Sequence, residues 1–189
     1  MLDIVFVLDH SSSIDTEEQK SMMNLTIHLV KKADVGIDRV RIGALRYSND
    51  PEVLFHLSRY SSRSEIVENL RTRRHTGGDT WTAKALEHTN IMFTKEHGSR
   101  IEENVKQMLI IITDGESHDR NRLNDTALKL RNKGINIYAV GVGEANPLEL
   151  EAIAGNKNNT FYVGNFTKLE DLYLPLQEKM CSNAHECKL

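Results

Sequence analysis

Ile4-Val5-Phe6-Val7-Leu8 runs directly into Asp9-His10-Ser11-Ser12-Ser13, and this junction gives the first indication of the fold. The apolar run is short and rich in β-branched and aromatic residues, which predicts a buried strand rather than a helix. Alternate side chains of an extended segment point the same way. Asp9, Ser11 and Ser13 are therefore expected to converge and to offer only oxygen ligands, which suit Mg²⁺, Mn²⁺ or Ca²⁺ better than zinc or copper.

Two later segments carry the same kinds of side chain. Met108-Leu109-Ile110-Ile111-Ile112-Thr113 is a second apolar strand, and it ends in Asp114-Gly115. Between the two strands, Thr76-Gly77-Gly78-Asp79-Thr80-Trp81-Thr82 is a glycine-rich turn that leads into a helix. Because ligands of open α/β sheets bind at the carboxyl ends of the strands, we expect the three segments to meet there.

Predicted strands and helices alternate along the chain, which indicates βαβ units and a mostly parallel sheet. The fold class is therefore α/β, a doubly wound central sheet with helices on both faces. Asp15 and Glu18 form a predicted capping box for the first helix. Segments 39–47 and 52–57 are joined by the short turn Asn49-Asp50-Pro51, which is too short for a parallel crossover and predicts an antiparallel edge strand.

The remaining elements follow from the same patterns. Further strands are predicted at 108–113, 135–142 and 160–163, and further helices at 64–73, 82–93, 121–133, 147–154 and 169–180. No repeat, linker or low-complexity tract interrupts them, and 189 residues with 39% apolar content suit one well-buried domain.

The order Asp-x-Ser-x-Ser, Gly-Gly-x-Thr-x-Thr and Thr-Asp-Gly resembles the von Willebrand factor type A domain. The resemblance implies a Rossmann-like fold over residues 1–181, a short tail at 182–189, and a metal-ion-dependent adhesion site (MIDAS). It implies that Ser11 and Ser13 bind the metal directly, that Thr80 binds it directly or through water, and that Asp9 and Asp114 do the same. The implied cation is Mg²⁺, with Mn²⁺ or Ca²⁺ as alternatives.

Helix capping is the alternative role for single members of this set, but it does not account for three separate loops. The sequence also departs from the family pattern at two positions. His10 stands where glycine is frequent and Lys84 where a small residue is frequent. Neither change removes a ligand, and both are expected to alter access to the metal.

The chain resembles most the extracellular-matrix members of the family, of the collagen and matrilin type. The segments that carry this likeness are Asp3-Ile4-Val5-Phe6, Ile137-Tyr138-Ala139-Val140-Gly141-Val142-Gly143 and Asn165-Phe166-Thr167-Lys168-Leu169. The implied function is adhesion to a matrix protein, such as collagen, whose acidic side chain reaches the metal. The alternatives are a structural matrix module whose partners bind elsewhere, and an intracellular scaffold of the same fold.

Several residues are candidates for contacts around the metal. Those next to the predicted metal loops form a candidate partner-binding rim: His10, His75, Asp79, Trp81 and His118. The histidines could equally be ordinary surface residues, and Trp81 could be a packing anchor. Arg71, Arg73 and Arg74 could contact sulfated glycans, or could simply complement the dipole at a helix C-terminus.

Other features indicate a secreted protein of the extracellular matrix. Four glycosylation sequons begin at Asn24, Asn124, Asn158 and Asn165, and the first lies on a helical stripe with Lys20, His28 and Lys31 that should face water. Cys181 and Cys187 are disulfide candidates. Met1 and Leu2 lead directly into the first strand, so we expect any secretion signal to lie outside this sequence.

Composition and motifs also argue against other classes. A net charge of −3 disfavours nucleic-acid binding, and no segment is long enough to insert into a membrane. Phosphotransferases of the haloacid dehalogenase type need a second acid where Ser11 stands. Serine hydrolases need a Gly-x-Ser-x-Gly elbow, and Gly141-Val142-Gly143 lacks the third glycine of a dinucleotide site. We expect no enzymatic activity. The oligomeric state does not follow from the sequence.

Overall fold

The computed structural model describes residues 1–71 and 77–184, and it is built on a six-stranded sheet in the order β3-β2-β1-β4-β5-β6. The strands are β1 Leu2–Asp9, β2 Val40–Tyr47, β3 Pro51–Phe55, β4 Lys106–Thr113, β5 Ile135–Val142 and β6 Thr160–Val163. All neighbouring strands pair in parallel except β2 and β3. This confirms the mostly parallel sheet and its antiparallel edge strand.

Within the residues described, six α-helices surround the sheet. They are α1 Thr16–Lys32, α2 Arg63–Arg71, α3 Thr82–Met92, α4 Arg120–Asn132, α5 Pro147–Ala154 and α6 Tyr173–Ala184. The capping box that opens α1 is present, since Asp15 Oδ1 accepts from the Glu18 amide and Glu18 Oε2 accepts from the Asp15 amide. Short 3₁₀ segments lie at Lys95–His97, Ile101–Glu103, Lys157–Asn159 and Phe166–Leu172.

The alternation of side chains along the central strands divides the core into two layers. On β1, Leu2, Ile4, Phe6 and Leu8 belong to the cluster that α1, α2 and α6 cover, whereas Val5 and Val7 belong to the cluster that α3, α4 and α5 cover. Because β1 and β4 are buried on both faces, their sequences are continuous apolar runs rather than alternating ones. The helices on both faces confirm the doubly wound architecture.

The last helix begins later than the sequence predicts. The apolar spacing predicts a helix from Leu169, but Phe166–Leu172 forms a 3₁₀ segment and α6 starts at Tyr173. Asn165 caps that segment by accepting from the Lys168 amide. The helix continues to Ala184, past the predicted domain boundary at 181, and that boundary stays a prediction.

The stripe on α1 is only partly exposed. Lys20, Asn24 and Lys31 face water as expected, but His28 is half-buried because its ring stacks on Tyr173 with the ring centroids 4.1 Å apart. Burial lowers the pKa of His28. This contact ties α1 to the start of α6.

A buried ion pair lies at the edge of the sheet where β1 begins. Asp3 is fully buried and Arg100 is 3% exposed. Asp3 Oδ1 accepts from Arg100 Nη2 at 2.6 Å and from Arg100 Nε at 3.0 Å, and Asp3 Oδ2 accepts from the Arg100 amide and from Gln107 Nε2. Arg100 Nη2 also donates to the Arg39 carbonyl. The pair thus joins β1, β4, the turn before β2 and the segment between α3 and β4.

Within residues 1–71 and 77–184, none of the helices combines the length and the apolar character that a bilayer span requires.

Candidate metal centre

The topology brings the two predicted strand-end motifs side by side. Strand β1 pairs with β4 in parallel, with Leu8 opposite Ile112. The two strands are neighbours although β2 and β3 come between them in the sequence, so their carboxyl ends form the crevice where open α/β sheets bind ligands. Thr113 Oγ1 donates to Asp9 Oδ2 at 2.7 Å across this crevice. Asp9, the last residue of β1, and Asp114, which follows β4, therefore lie at neighbouring strand ends.

A continuous chain of polar contacts joins four of the five predicted ligands. Asp9 Oδ1 accepts from the Ser11 amide at 2.9 Å. The hydroxyls of Ser11 and Ser13 are 3.0 Å apart, and Ser13 Oγ donates to Asp114 Oδ1 at 3.0 Å. Asp9 and Ser11 are buried, whereas Ser13 is exposed and Asp114 is half-buried. The group thus runs from the interior to the surface.

The glycine-rich loop is fastened to the loop after β1. The Gly78 amide donates to Ser12 Oγ at 2.7 Å, and the Ser12 amide donates to the Gly78 carbonyl at 2.8 Å. Gly78 has a φ of 110°, and a Cβ there would lie 3.0 Å from the side-chain amide of Asn49. Glycine thus suits this backbone conformation, and a side chain here would also crowd Asn49 in the turn between β2 and β3.

Thr80, the fifth predicted ligand, lies beside the loop that carries Asp114. It is 5% exposed, and its amide donates to His118 Nδ1 while its carbonyl accepts from the His118 amide. A Cβ on Gly115 would lie 3.9 Å from Thr80 Oγ1. The structure thus brings Thr80 next to the Asp114 loop. Within the described part of the chain its hydroxyl forms no hydrogen bond with the other four predicted ligands.

The two carboxylates are poorly compensated. Burial and the charge of Asp9 raise the pKa of Asp114 to about 6, and Glu18 adds to this effect. Burial also raises the pKa of Asp9, against the hydrogen bonds from Ser11 and Thr113 that lower it. A nearby cation would favour the charged form of both groups. The electrostatics thus fit a positive ligand between them.

The donor atoms fit a hard divalent cation. Carboxylate and hydroxyl oxygens are the groups that converge, and such donors suit Mg²⁺, Mn²⁺ or Ca²⁺. The part of the chain that the structure describes contains no cluster of three or more His, Cys, Asp or Glu side chains suited to a metal. A cation bound here must therefore rely on serine and threonine hydroxyls as well as on the two aspartates.

Asp119 supports the site, and sequence reasoning missed it. Trp81 stands at the N-cap of α3 and provides no capping side chain. Instead Asp119 Oδ1 accepts from the Ala83 amide at 3.0 Å, and Asp119 Oδ2 accepts from the Lys84 amide at 2.8 Å. Ser117 Oγ donates to the same carboxylate at 2.6 Å. In the sequence Asp119 looks like a cap for α4, which it precedes, so nothing local signals its contact with α3.

We expect Asp119→Ala to lower the free energy of unfolding by about 0.5–2 kcal/mol, the usual loss when a helix loses its capping carboxylate. The amides of Ala83 and Lys84 would lose their acceptor, and both lie at the start of α3, close to Thr80 in the sequence. Urea denaturation measures the change. Asp125→Ala, an exposed acid on α4, is the control and should change stability by less than about 0.5 kcal/mol. Equal stability of the two variants would contradict the capping role.

The predicted rim is only partly at the surface. Asp79, Trp81 and His118 are exposed, and the rings of Trp81 and His118 are nearly parallel, with centroids 6.3 Å apart. His10 is 3% exposed, because it continues the even-numbered face of β1 and turns under α1. It therefore does not lie on the exposed rim. His75 lies outside the described residues.

Beside this rim, the side chain of Lys84 forms polar contacts with the turn between β2 and β3. Its Nζ donates to the Asn49 carbonyl at 3.2 Å and contacts Asp50 Oδ1 at 2.5 Å. A depression of about 570 Å³ extends from Trp81 past Lys84 to Arg122. The unusual lysine noted in the sequence thus forms one wall of a groove next to the metal loops.

The other predicted sites are only partly described. Arg71 is exposed at the end of α2, and Arg73 and Arg74 lie outside the described residues. The four sequon asparagines are all exposed: Asn24, Asn124, Asn158 and Asn165. Cys187 also lies outside the described residues, and the role of Cys181 and Cys187 as disulfide candidates stays a prediction.

Comparison with known proteins agrees with the fold and identifies the family. The sequence model of the von Willebrand factor type A domain matches residues 3–174. The chain is 68% identical over 98% of its length to the collagen alpha-5(VI) chain of Homo sapiens, and 32% identical over 99% to matrilin-2 of Mus musculus. It spans only 7% of the collagen chain and 20% of the matrilin.

Solved structures show the same architecture. Proximal thread matrix protein 1 from the mussel byssus superposes with a TM-score of 0.89 at 26% identity, over 95% of this chain and 47% of that protein. Another structure of the same byssus protein, 24% identical with a TM-score of 0.90, has a zinc-occupied MIDAS motif and covers 96% of this chain and 48% of that one. The relatives are extracellular-matrix proteins of the collagen VI and matrilin type, which confirms the expected location in the matrix. The chain belongs to the von Willebrand factor type A domain family.

Proposed function

We propose that this domain is an adhesion module that binds a matrix protein, collagen in the first instance, through a divalent cation. The residues proposed to hold the cation are Asp9, Ser11, Ser13, Thr80 and Asp114. The single observation that carries the proposal is the convergence of carboxylate and hydroxyl oxygens from separate loops at the crevice between β1 and β4. We propose Mg²⁺ as the cation, with Mn²⁺ and Ca²⁺ as the alternatives to compare with it.

A divalent cation held at this position would supply a site of high positive charge for an acidic side chain of the partner. The residues of the chain itself do the rest. Asp9 and Asp114 provide negative charge, and the buried end of the group, at Asp9 and Ser11, excludes water. Ser13 and Asp114 lie nearer the surface, where a partner can approach.

The surroundings of the site support a protein partner rather than a small molecule. Trp81 is 37% exposed next to Thr80, and it offers a flat apolar surface of the kind that is enriched at protein interfaces. The groove of about 570 Å³ continues from it towards Arg122. Collagen is the partner we propose to test first, because the relatives are matrix proteins.

We expect binding of the domain to immobilised triple-helical collagen to require Mg²⁺ and to be lost in EDTA. Asp114→Ala should abolish the Mg²⁺-dependent part of binding, because that variant lacks one of the two carboxylates. Asp125→Ala removes an exposed acid from α4 and should bind as the parent does. Surface plasmon resonance with and without the chelator measures all three proteins.

Binding that withstands both EDTA and Asp114→Ala would reject this proposal. The exposed Arg71 at the end of α2 supports one specific alternative, a structural module that holds its metal but binds partners through its basic residues. In that case collagen or heparin binding should fall in Arg71→Ala and should not respond to the chelator.

A further inference from the structure

One of the four sequons lies at the same edge of the sheet as the metal loops. Only Gly164 separates Asn165 from the end of β6. Because β6, β5, β4 and β1 are parallel, their carboxyl ends share one edge. Asn165 lines a cavity of about 370 Å³ together with Ser13 and Asp114. A group attached to Asn165 would therefore stand beside two of the proposed metal ligands.

The side chain of Asn165 is arranged so that its nitrogen can be substituted without loss of structure. Its Oδ1 accepts from the Lys168 amide at 3.2 Å and from Thr167 Oγ1 at 2.6 Å. Both contacts use the oxygen, and within the described residues Nδ2 donates to no other group. The side chain is exposed. Attachment at Nδ2 would thus leave the cap of the 3₁₀ segment in place.

We propose that Asn165 carries an N-linked glycan. We propose further that this glycan screens the edge of the sheet that carries Ser13 and Asp114 from large ligands. In the transfer, the bond from Nδ2 to the anomeric C1 of a lipid-diphosphate-linked oligosaccharide forms as the C1–O bond to the diphosphate breaks. Nδ2 loses one proton, and the lipid diphosphate leaves. The location of the chain in the extracellular matrix is compatible with passage through the compartment where this transfer occurs.

The glycan acts by size rather than by charge. N-linked glycans are bulky and strongly hydrated, and the cavity that Asn165 lines also contains Glu144 and Gly164. A hydrated cation passes such a screen, whereas a macromolecule must displace the sugar or approach from the Trp81 side. That the glycan hinders collagen in particular rests on the proposed function, but the screening of this edge from macromolecules does not.

The second sequon of the same region provides a matched control. Asn158 lies in the 3₁₀ turn Lys157–Asn159, directly before β6, whereas Asn165 lies two residues after the end of β6. The two asparagines therefore flank the same strand at opposite edges of the sheet. Both are exposed. A glycan on Asn158 stands away from the metal loops and should not screen them.

The test uses the domain secreted from mammalian cells, with glycan occupancy measured by mass spectrometry of its peptides. Access to the edge is measured independently of metal and collagen, with a cysteine introduced by Glu144→Cys. The probes are a small maleimide and a maleimide carrying a long polyethylene glycol chain. Glu102→Cys, at an exposed position next to the buried ion pair, gives the reference ratio of the two labelling rates.

We expect Asn165 to be glycosylated. We also expect the ratio of the labelling rate of the large reagent to that of the small reagent to be several-fold lower at position 144 than at position 102. Asn165→Gln and Thr167→Ala should each remove this difference, and the second variant retains the Asn165 cap. Asn158→Gln should leave the difference unchanged. An unmodified Asn165 in the secreted protein would overturn the proposal, and so would a glycosylated Asn165 without selective slowing of the large reagent.

The outcome is separable from that of the adhesion proposal. If the large reagent labels position 144 selectively slowly but collagen binding does not depend on Mg²⁺, the screen is retained and the adhesion mechanism is rejected. If collagen binding depends on Mg²⁺ but labelling is indifferent to Asn165→Gln, the adhesion mechanism is retained and the screen is rejected.

Discussion

Asp3→Ala is expected to lower the free energy of unfolding by about 3–5 kcal/mol, because it leaves the Arg100 guanidinium buried without its counter-charge. The two side chains are 0% and 3% exposed, so water cannot compensate the loss. The Gln107 side chain and the Arg100 amide would also lose an acceptor. Urea denaturation of the purified domain measures the change.

An exposed ion pair of the same length provides the control. Lys20 and Glu17 on α1 are also 2.6 Å apart, but their side chains are 63% and 78% exposed. Glu17→Ala should therefore cost no more than about 1 kcal/mol, as is usual for surface pairs. The double variant Asp3→Ala/Arg100→Met should be more stable than Asp3→Ala alone, since it removes the uncompensated charge. Equal losses in Asp3→Ala and Glu17→Ala would contradict this account.

The Asp3–Arg100 pair also shows where sequence reasoning reaches its limit. Asp3 lies within an apolar strand, and Arg100 lies in a segment between α3 and β4 for which no periodic pattern predicts an element. The two residues are 97 positions apart, and only the pairing of β1 with its neighbours brings them together. Asp119 is a similar case, since its carboxylate caps α3 rather than the helix that follows it.

The sheet and the metal loops could be predicted because their signals are local. The apolar runs of β1 and β4 identify strands directly, and the short turn after β2 permits only an antiparallel neighbour. The parallel order of the strands then requires their carboxyl ends to share one edge, so Asp9 and Asp114 could be expected to meet. How Thr80 is fastened to His118 depends on side-chain geometry, and no spacing rule reports it.

His10 and the start of α6 illustrate another cause of error, in which two local patterns in the sequence favour different structures. His10 is next to the metal ligands in sequence, but the alternation of β1 turns it towards α1. From Leu169 onward the apolar spacing predicts an α-helix, whereas the Asn165 cap holds a 3₁₀ segment over Phe166–Leu172. Sequence proximity and apolar periodicity were correct observations, and the neighbouring backbone determined the outcome.

The second large effect concerns the metal. We expect Mg²⁺ at one hundred times its dissociation constant to stabilise the parent domain by about 2.7 kcal/mol, as binding to the folded state alone requires. Asp114→Asn should abolish this gain, since it removes one of the two carboxylates while keeping the size of the side chain. Thermal denaturation with and without Mg²⁺ measures it, and isothermal calorimetry measures the binding itself.

Without metal, the effect of Asp114→Asn on the stability of the domain should have the opposite sign. The folded-state pKa of Asp114 is raised to about 6 from an ordinary value of 3.8, so its stabilising contribution is complete below about pH 3.8 and is lost as the pH rises through 6. At pH 7 in EDTA, Asp114→Asn should therefore be at least as stable as the parent, and it should lack this part of the pH dependence. The same substitution is thus expected to be neutral or stabilising in EDTA, and destabilising relative to the parent in Mg²⁺.

Glu144→Gln separates a specific ligand from general negative charge at this edge. Glu144 is exposed and lines the same cavity as Asp114, but it does not belong to the hydrogen-bonded group that joins Asp9, Ser11, Ser13 and Asp114. Its amide variant should keep the full response to Mg²⁺. A loss of response in both variants would indicate diffuse attraction of cations to an acidic edge. A full response in Asp114→Asn would mean that the strand-end oxygens do not bind the ion, and the adhesion mechanism would then have no metal to act through.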